Sequence, residues 1–209
     1  MIEALIVDDH DVVREGIRAI LEESGRVDIK NEASSAEQAM ELVRDNTYDL
    51  ILLDLVLPGM SGLEILQDIK REQPDVPVLV VSMYPEEEFA VRVLKSGASG
   101  YLHKRRVSEK LMEAIDTVMS GKYYVAKHLT DQLINSLRGN TQEHTHQQLT
   151  DREYEIMLML ASGLEVKEIA MKLYLSEKTV GAHRRNILKK MNLKNVVELA
   201  IYAVKHDLI

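Results

Sequence analysis

The feature that most constrains the fold of this chain is a regular alternation in its first 120 residues. Short apolar runs alternate with amphipathic stretches, in which apolar residues such as Ala36, Met40 and Val43 recur at helical spacing. The apolar runs cover residues 4–7, 27–31, 50–53, 78–81 and 100–102, and the helical stretches between and after them cover residues 11–23, 35–46, 61–72, 86–96 and 108–120. This order predicts an α/β fold with a mostly parallel sheet that helices cover on both faces.

Several helix starts carry a sequence signature of their own. Ser35 with Gln38, Ser61 with Glu64 and Thr150 with Glu153 match the capping box, in which two side chains satisfy free backbone N–H groups. Ser176 is predicted to cap a further helix.

The composition excludes several classes of protein. The chain has 209 residues and no cysteine, so disulfides, thiolate zinc sites and cysteine nucleophiles are excluded. Its longest uninterrupted apolar runs are six residues, whereas a membrane-spanning helix needs about 20. The acidic pair Asp8-Asp9 follows the first seven residues with no basic region before it, which is not the pattern of a signal peptide. We therefore expect a soluble cytoplasmic protein with no membrane partner.

The charge of the chain is unevenly distributed. The net charge is −8, which taken whole argues against nucleic-acid binding. Residues 148–209 nevertheless carry ten basic and eight acidic residues, and five of those ten basic residues fall within residues 177–191. A basic segment on an otherwise acidic chain predicts two modules with different partners.

A polar stretch separates the two modules. Residues 138–148 contain no apolar side chain, so they cannot contribute to a core, and residues 126–137 before them read as a short helix. Four helical segments follow, at residues 151–162, 166–173, 177–191 and 195–206. We predict an α/β domain at residues 1–121, a linker with a short helix at residues 122–148, and a small all-α helix-turn-helix domain at residues 149–209.

Carboxylates follow two strands that the predicted sheet places side by side. Asp8 and Asp9 come after the first strand, and Asp54 comes after the third. In a five-stranded parallel sheet of order 2-1-3-4-5 these strands are neighbours where the strand order reverses, which is where open α/β sheets bind ligands. At an effective dielectric of about 20, two charges about 5 Å apart repel by about 3 kcal/mol, a cost that a divalent cation removes. The pattern therefore predicts a Mg²⁺ site.

The last two strands end in groups that suit a phosphoryl group. Ser82 ends the fourth strand with a hydroxyl donor, and Lys104 follows the fifth strand as a point charge. An aspartate that faces Mg²⁺, a lysine and a hydroxyl is equipped to accept phosphate, because phosphoryl transfer depends on positioning and charge neutralisation.

Residues 1–120 resemble a response-regulator receiver domain, which has a flavodoxin-like fold. The resemblance rests on the residues 8–10 and 54–62, on Ser82, and on residues 97–98 and 101–104. It implies that Asp54 accepts the phosphoryl group from a sensor histidine kinase. It further implies that Asp9, Asp54 and the backbone carbonyl of Val56 ligate Mg²⁺, with Asp8 acting through water. Lys104 and Ser82 would contact the phosphoryl group, and Tyr101 would be the aromatic switch that turns inward.

The segment 177–191 separates into two faces when it is placed on a helix. Val180, His183, Ile187 and Met191 share an apolar face. The opposite face carries basic residues and two residues without bulk, which allows close approach to a surface. Its members are Lys178, Gly181, Ala182, Arg185 and Lys189. This is the arrangement of a recognition helix in the major groove, in which Arg185 would pair with a guanine edge.

Residues 148–209 resemble the NarL/LuxR-type helix-turn-helix. The resemblance rests on residues 149–153, 163–164, 167–170, 173, 175–180, 183 and 186–188. It implies base contacts from Gly181, Ala182 and Arg185, and DNA-backbone contacts from Lys167, Thr179 and Lys190. Gly181 departs from the lysine that relatives commonly carry, so it removes one contact.

These features predict a two-component response regulator, not an enzyme, whose phosphorylation at Asp54 controls DNA binding and transcription. The expected partners are a sensor histidine kinase, double-stranded DNA and a second copy of the chain, and RNA polymerase is kept as a further candidate. Two alternatives stay open. One is a phosphohydrolase that uses aspartate and Mg²⁺, and the other is a protein-binding regulator whose helical module no longer reads DNA.

Overall fold

A computed structural model of the chain describes residues 1–58, 60, 62–126, 145–206 and 208–209. The chain divides into two compact units, Met1–Gly139 and Asn140–Ile209. Apart from Ala126, the short helix predicted at residues 126–137 lies outside the described residues, as do residues 138–144 of the predicted polar stretch and Ser61 of one predicted capping box. Among the residues described, no helix combines the length and apolar character needed to cross a bilayer.

The described part of the first unit is an α/β layer structure. Its strands are β1 (Ile2–Val7), β2 (Val27–Ala33), β3 (Leu50–Leu53), β4 (Val78–Ser82) and β5 (Gly100–His103). They form one parallel sheet of order β2-β1-β3-β4-β5, as predicted. The helices are α1 (Asp11–Ser24), α2 (Ala36–Asp45), α3 (Gly62–Glu72), α4 (Glu86–Lys95) and α5 (Val107–Met119), and a short 3-10 turn, Lys104–Arg106, precedes α5.

The sheet is buried on both faces. On one face, alternate strand residues such as Ile6 and Leu52 pack with Ile17 of α1 and Leu111 of α5 in a single apolar cluster. Residues at the intervening positions, such as Ile51, are equally buried and face the other side. Burial on two faces explains why the central strands are continuous apolar runs rather than alternating ones.

The predicted element boundaries hold to within a residue or two. Strand β2 is longer than predicted, because Glu32 and Ala33 continue the pairing with β1. The predicted capping box at α2 is only half present. Ser35 accepts the backbone N–H of Gln38 at 3.2 Å, but the Gln38 side chain accepts the N–H of Ser34, one residue earlier than predicted.

The second unit is helical throughout its described residues. A 3-10 turn at Thr145–Gln148 leads into α6 (Asp151–Ala161), α7 (Val166–Lys172), α8 (Glu177–Lys190) and α9 (Val196–Lys205). The capping box of Thr150 and Glu153 begins α6, and Ser176 caps α8 by accepting the N–H of Thr179 at 3.0 Å. Both helix starts are therefore as the sequence predicted.

The core of the second unit orients α8. Val180, Ile187 and Met191 are buried, as the two-faced pattern predicted, while His183 is half-buried rather than fully enclosed. Helix α6 contributes the fully buried Tyr154 to the same unit. The apolar side of α8 is thus fixed against the other helices, and its basic side is left at the surface.

Candidate functional site

The acidic pocket lies where β1 and β3 end side by side. Val7 and Leu53 are partners in the parallel pairing, and the backbone N–H of Asp54 donates to the carbonyl of Val7 at 2.8 Å. This register brings Asp8 and Asp54, the next residue of each strand, to the same edge. Both aspartates are only 2% exposed. The sequence prediction that these carboxylates converge agrees with this geometry.

Lys104 joins the two buried aspartates. Its Nζ lies 2.6 Å from Oδ2 of Asp8 and 2.7 Å from Oδ2 of Asp54, and its side chain is 7% exposed. The other carboxylate oxygen of Asp54 accepts the backbone N–H of Leu55 at 2.7 Å. One buried cation therefore serves two buried anions, so the pocket keeps an excess of negative charge.

The pKa values of the pocket reflect this imbalance. The pKa of Asp54 is raised from its ordinary value to about 6, chiefly by burial, with the charge of Lys104 opposing the rise and the charge of Asp8 adding to it. Burial by itself would lower the pKa of Lys104, but its two carboxylate partners outweigh burial and raise it. Lys104 therefore stays positively charged, whereas ionisation of Asp54 costs more free energy in the folded protein than in water.

Asp9 and His10 complete an acidic cluster at the mouth of the pocket. Asp8, Asp9, His10 and Asp54 each offer one ligand atom, and these atoms lie within 4.8 Å of one another. Oδ1 of Asp9 is buried and makes no hydrogen bond of acceptable geometry, although it lies 2.6 Å from Nδ1 of His10. His10 belongs to the motif on which the receiver resemblance rests, but the sequence assigned it no role.

Ser82 and Tyr101 lie on the two strands beyond Asp54. Ser82 is fully buried, and its Oγ accepts the backbone N–H of Tyr84 at 3.5 Å, a marginal distance. Tyr101 is fully buried, and its hydroxyl donates to the carbonyl of Tyr84 at 2.6 Å. Tyr84, which sequence reasoning did not single out, therefore links the predicted hydroxyl donor to the predicted switch residue.

Gly62 shapes the loop that carries Asp54. A Cβ at this position would lie 2.3 Å from Cα of Leu55 and 2.7 Å from the carbonyl oxygen of Asp54. The N–H of Gly62 also donates to the carbonyl of Leu55 at 2.9 Å. The start of α3 thus contacts the backbone behind Asp54 directly, and only glycine permits this approach. Val56, in the loop between Asp54 and α3, is half-buried. A hydrogen bond from its backbone lowers the pKa of Asp54.

The donor set fits a hard divalent cation. Carboxylate oxygens are the ligands that Mg²⁺ prefers, and it retains several waters, so a site that is open on one side suits it. The buried Oδ1 of Asp9 without a hydrogen bond is an oxygen that such a cation would satisfy. An ion would also offset the excess negative charge around Lys104.

The second candidate surface is the solvent side of α8. The predicted base-contact residue Arg185 is exposed, and Gly181 and Ala182 are half-buried beside it. A Cβ at Gly181 would meet nothing closer than Nη1 of Arg185 at 3.9 Å, so this part of the face is open. The remaining predicted contact residues, all exposed, are Lys167, Lys178, Thr179, Lys189 and Lys190.

Two of these predicted contacts already have partners within the unit. Nζ of Lys190 lies 2.5 Å from Oε2 of Glu153 and is 38% exposed, so it stabilises the start of α6. The hydroxyl of Thr179 lies 2.7 Å from Oγ of Ser176, within the helix cap. Both remain predictions as DNA contacts, but each has a structural role that the sequence pattern did not indicate.

Two protein-family models match the chain. The model described as the response regulator receiver domain matches residues 4–116, which include every predicted residue of the acidic pocket. The model described as bacterial regulatory proteins, luxR family, matches residues 147–203, which include α8 and the basic face.

Individual relatives match along nearly the whole chain. Response regulator UvrY of Escherichia coli is 37% identical over 209 residues, covering 100% of this chain and 96% of the relative. The nitrate/nitrite response regulator protein NarL of Escherichia coli is 40% identical over 200 residues, covering 95% and 93%. Among solved structures, the RcsB response regulator of Salmonella typhimurium superposes with a TM-score of 0.73 at 24% identity, covering 98% and 97%, which supports the fold.

Proposed function

This chain belongs to the NarL/LuxR-type two-component response regulators, and we propose that its phosphoacceptor is Asp54. As a member of that family it regulates transcription in response to phosphorylation, through a receiver domain and a DNA-binding domain. The observation that carries the assignment is the buried triad of Asp8, Asp54 and Lys104, in which one lysine faces two carboxylates at 2.6 and 2.7 Å.

The proposed transfer needs little covalent chemistry from the protein. A carboxylate oxygen of Asp54 attacks the phosphorus of a phosphohistidine on the sensor kinase. A P–O bond forms, the P–N bond breaks, and the histidine nitrogen that leaves takes up a proton. Such a transfer is limited by positioning and by charge neutralisation, and both are supplied here by the strand register and by Lys104.

The surrounding residues have distinct proposed roles. Asp9, Asp54 and the carbonyl of Val56 would hold Mg²⁺, with Asp8 acting through water, and the ion would neutralise charge on the phosphoryl oxygens. Lys104 stays within reach of Asp54 and would ion-pair with the transferred group. Ser82 would donate its hydroxyl to a phosphoryl oxygen. Tyr101 would respond to a movement of Ser82, because Tyr84 is hydrogen-bonded to both Ser82 and Tyr101.

The phosphoacceptor is tested by labelling with a small phosphodonor. We expect Asp54→Asn to reduce Mg²⁺-dependent incorporation from acetyl phosphate to background, because the amide is not a nucleophile. Asp116→Asn is the matched control, since Asp116 is exposed and pairs with Arg26 away from the pocket. Hydroxylamine-labile phosphate retained by Asp54→Asn would refute the assignment.

The exposed face of α8 is proposed to enter the major groove of DNA. Arg185 is the proposed base contact, and Lys178, Gly181, Ala182 and Lys189 would lie against the groove beside it. Lys167, Thr179 and Lys190 would contact phosphates, which supply affinity without sequence information. Three features support this proposal: the exposure of the basic residues, the open space at Gly181, and the fixed apolar side of the helix.

The DNA contact is tested by an electrophoretic mobility shift assay of DNA binding at several salt concentrations. We expect Arg185→Ala to weaken binding to a specific site by about 1–3 kcal/mol and to relax the base preference at one position. Lys205→Ala is the matched control, because it also removes one positive charge, is exposed on α9, and is not among the predicted DNA contacts. Binding that is indifferent both to Arg185→Ala and to salt would favour the protein-binding alternative.

A second copy of the chain is the proposed partner of α9. Val197, Ile201 and Val204 are 68%, 62% and 61% exposed and lie on one side of that helix. Two copies related by a two-fold axis would cover this face and present paired recognition helices to paired half-sites. We also propose a sensor histidine kinase as phosphodonor and a cytoplasmic location, and RNA polymerase is a further candidate partner.

The dimer is tested by sedimentation of the full chain with and without acetyl phosphate. We expect Ile201→Glu to abolish phosphorylation-dependent or DNA-dependent dimerisation. Labelling of Asp54 should persist, because Ile201 lies in the other unit. A dimer that survives Ile201→Glu would have to use a different surface.

A further inference from the structure

Residues 122–126, which the sequence assigns to the linker, return along the edge of the receiver sheet. The backbone N–H of Tyr124 donates to the carbonyl of Ser99 at 3.0 Å, and the N–H of Tyr101 donates to the carbonyl of Tyr124 at 2.8 Å. Gly100 and Tyr124 are parallel bridge partners. The beginning of the linker therefore satisfies the free edge of β5 as an added strand would.

The approach of this segment depends on Gly100. A Cβ at that position would lie 2.8 Å from the carbonyl oxygen of Tyr124 and 2.9 Å from its Cβ. Both distances are shorter than real Cβ contacts, and the first is to backbone. The side chain of Tyr124 in turn packs against the apolar cluster of the sheet. The contact is therefore close-packed as well as hydrogen-bonded.

A buried carboxylate holds the end of the same segment. Oε1 of Glu86 accepts the backbone N–H of Ala126 at 2.8 Å, and Glu86 is 7% exposed. Glu86 is the first residue of α4, two residues after Tyr84. Residues 122–126 are thus bound to β5 on one side and to the start of α4 at their far end.

A second set of contacts leads from the predicted phosphorylation pocket towards the linker, and its first contact, between Tyr84 and Ser82, has a marginal length of 3.5 Å. The Oγ of Ser82 accepts from the N–H of Tyr84, and the carbonyl of Tyr84 accepts from the hydroxyl of Tyr101. The N–H of Tyr101 then donates to Tyr124. Tyr101 therefore contacts the residues after β4 through its hydroxyl and residues 122–126 through its backbone N–H.

We propose that the edge of β5 and Glu86 form an intramolecular docking site for residues 122–126, through which the state of Tyr101 is passed to the linker. Glu86 is a positioning residue in this proposal, because it contacts neither Asp54 nor a phosphoryl group. The inference rests on the proposed function of Asp54. It extends that function by naming residues 122–126 of the linker as the segment to which the switch residue Tyr101 is coupled.

The direction proposed for the coupling rests on one observation. The docked segment and the inward Tyr101 occur together in this structure. If phosphorylation favours the inward Tyr101, it also favours docking, and docking favours the phosphorylated state by the same factor.

The docking is tested by amide hydrogen exchange in the full chain. We expect Glu86→Ala to speed exchange at Ala126 by about tenfold, the effect of losing one hydrogen bond of roughly 1–1.5 kcal/mol. Glu86→Gln keeps an oxygen acceptor and should restore slow exchange. Gly100→Ala should speed exchange at Tyr124, whereas Gly16→Ala, where a Cβ meets nothing within 4 Å, should not.

The coupling is tested by repeating the exchange with acetyl phosphate and Mg²⁺, and by measuring DNA affinity in both states. We expect phosphorylation to slow exchange at Tyr124 and Ala126, and Glu86→Ala to reduce the phosphorylation-dependent gain in DNA affinity by at least about threefold while Asp54 is still labelled. Unchanged exchange in Glu86→Ala and Gly100→Ala would overturn the docking site. Altered exchange with an unaltered gain in affinity would overturn the coupling.

The two proposals fail in different ways. Absence of labelling at Asp54 in the unmodified chain would remove the proposed function, but the exchange rates of the unphosphorylated variants would still decide whether residues 122–126 are docked. If Glu86→Ala does not fold, the comparison of Gly100→Ala with Gly16→Ala decides docking by itself.

Discussion

Asp54 and Glu153 are both buried carboxylates that bind a lysine, yet their surroundings shift the two pKa values in opposite directions. In the receiver unit, burial raises the pKa of Asp54 to about 6 despite Lys104 at 2.7 Å. In the helical unit, burial alone would raise the pKa of Glu153, but the hydrogen bonds from Lys190 and Thr150 outweigh it and lower the pKa.

The difference lies in what else each carboxylate contacts. Oε2 of Glu153 accepts from Lys190 at 2.5 Å and from the N–H of Thr150 at 2.9 Å, so its charge is matched by donors. Asp54 shares its lysine with Asp8, which leaves one negative charge in excess. A buried carboxylate whose charge is matched by donors is held ionised, whereas one whose charge is unmatched is a candidate site for a cation or an incoming group.

The largest expected effect is on the pH dependence of the free energy of unfolding, measured for each unit in the absence of metal. For Asp54, a rise in pKa from 3.8 to about 6 corresponds to about 3 kcal/mol of stability. This stability is present below the ordinary pKa and is lost as pH rises through about 6. For Glu153 the sign is reversed. Its stability is present above the ordinary pKa and is lost as pH falls through the lowered value.

Hydrogen exchange with chelator present would follow the two units separately across this pH range. We expect Asp54→Asn to reduce the pH dependence of the stability of the receiver unit, and Glu153→Gln to reduce that of the helical unit. Asp116→Asn should change neither. Slopes of the same sign in both units would contradict the comparison.

A second test concerns metal affinity, which should sharpen the distinction. A cation must displace the proton of Asp54, so Mg²⁺ affinity should rise by about tenfold between about pH 5 and about pH 7. Calorimetric titration of the full chain would measure it. Glu153→Gln serves as the control and should leave the profile unchanged. A pH-independent affinity would mean that Asp54 does not ligate the ion.

The smallest effect separates two adjacent lysines on α8. Lys190→Ala should lower the free energy of unfolding of the helical unit by about 1 kcal/mol, because it removes the partner of Glu153. Lys189→Ala should leave stability unchanged and reduce the salt dependence of DNA binding by about one phosphate contact. Urea unfolding and salt titrations on both variants would decide. Equal stability in the two variants would show that the ion pair contributes nothing.

The sequence predicted that Asp8, Asp54 and Lys104 lie close together, because each of them follows a strand of the sheet. Strand order and register are set by apolar runs, so placing β1 beside β3 also placed Asp8 beside Asp54. The roles of Gly62 and Tyr84 were missed, because they depend on how closely α3 approaches β3 and on where one carbonyl lies after β4. No spacing rule encodes those distances.

The predictions for α8 were less complete for a different reason. Helical periodicity separates a buried face from an exposed one, and Val180 and Ile187 are buried as expected. Periodicity does not tell which exposed lysine is already paired with another helix. Glu153 lies 37 residues from Lys190, so the ion pair that engages Lys190 depends on the packing of α6 against α8.

The contact of Gly62 with the backbone of Asp54 and Leu55 has a consequence for how the pocket tolerates change. The backbone at Asp54, the proposed phosphoacceptor, packs directly against the backbone of Gly62, with no side chain between them. A substitution in the apolar interior can reach this contact only by shifting the backbone of α3 or of the loop after β3. A single methyl group at residue 62 would meet the backbone of Leu55 and Asp54, so even the smallest substitution of Gly62 is expected to displace the carboxylate of Asp54.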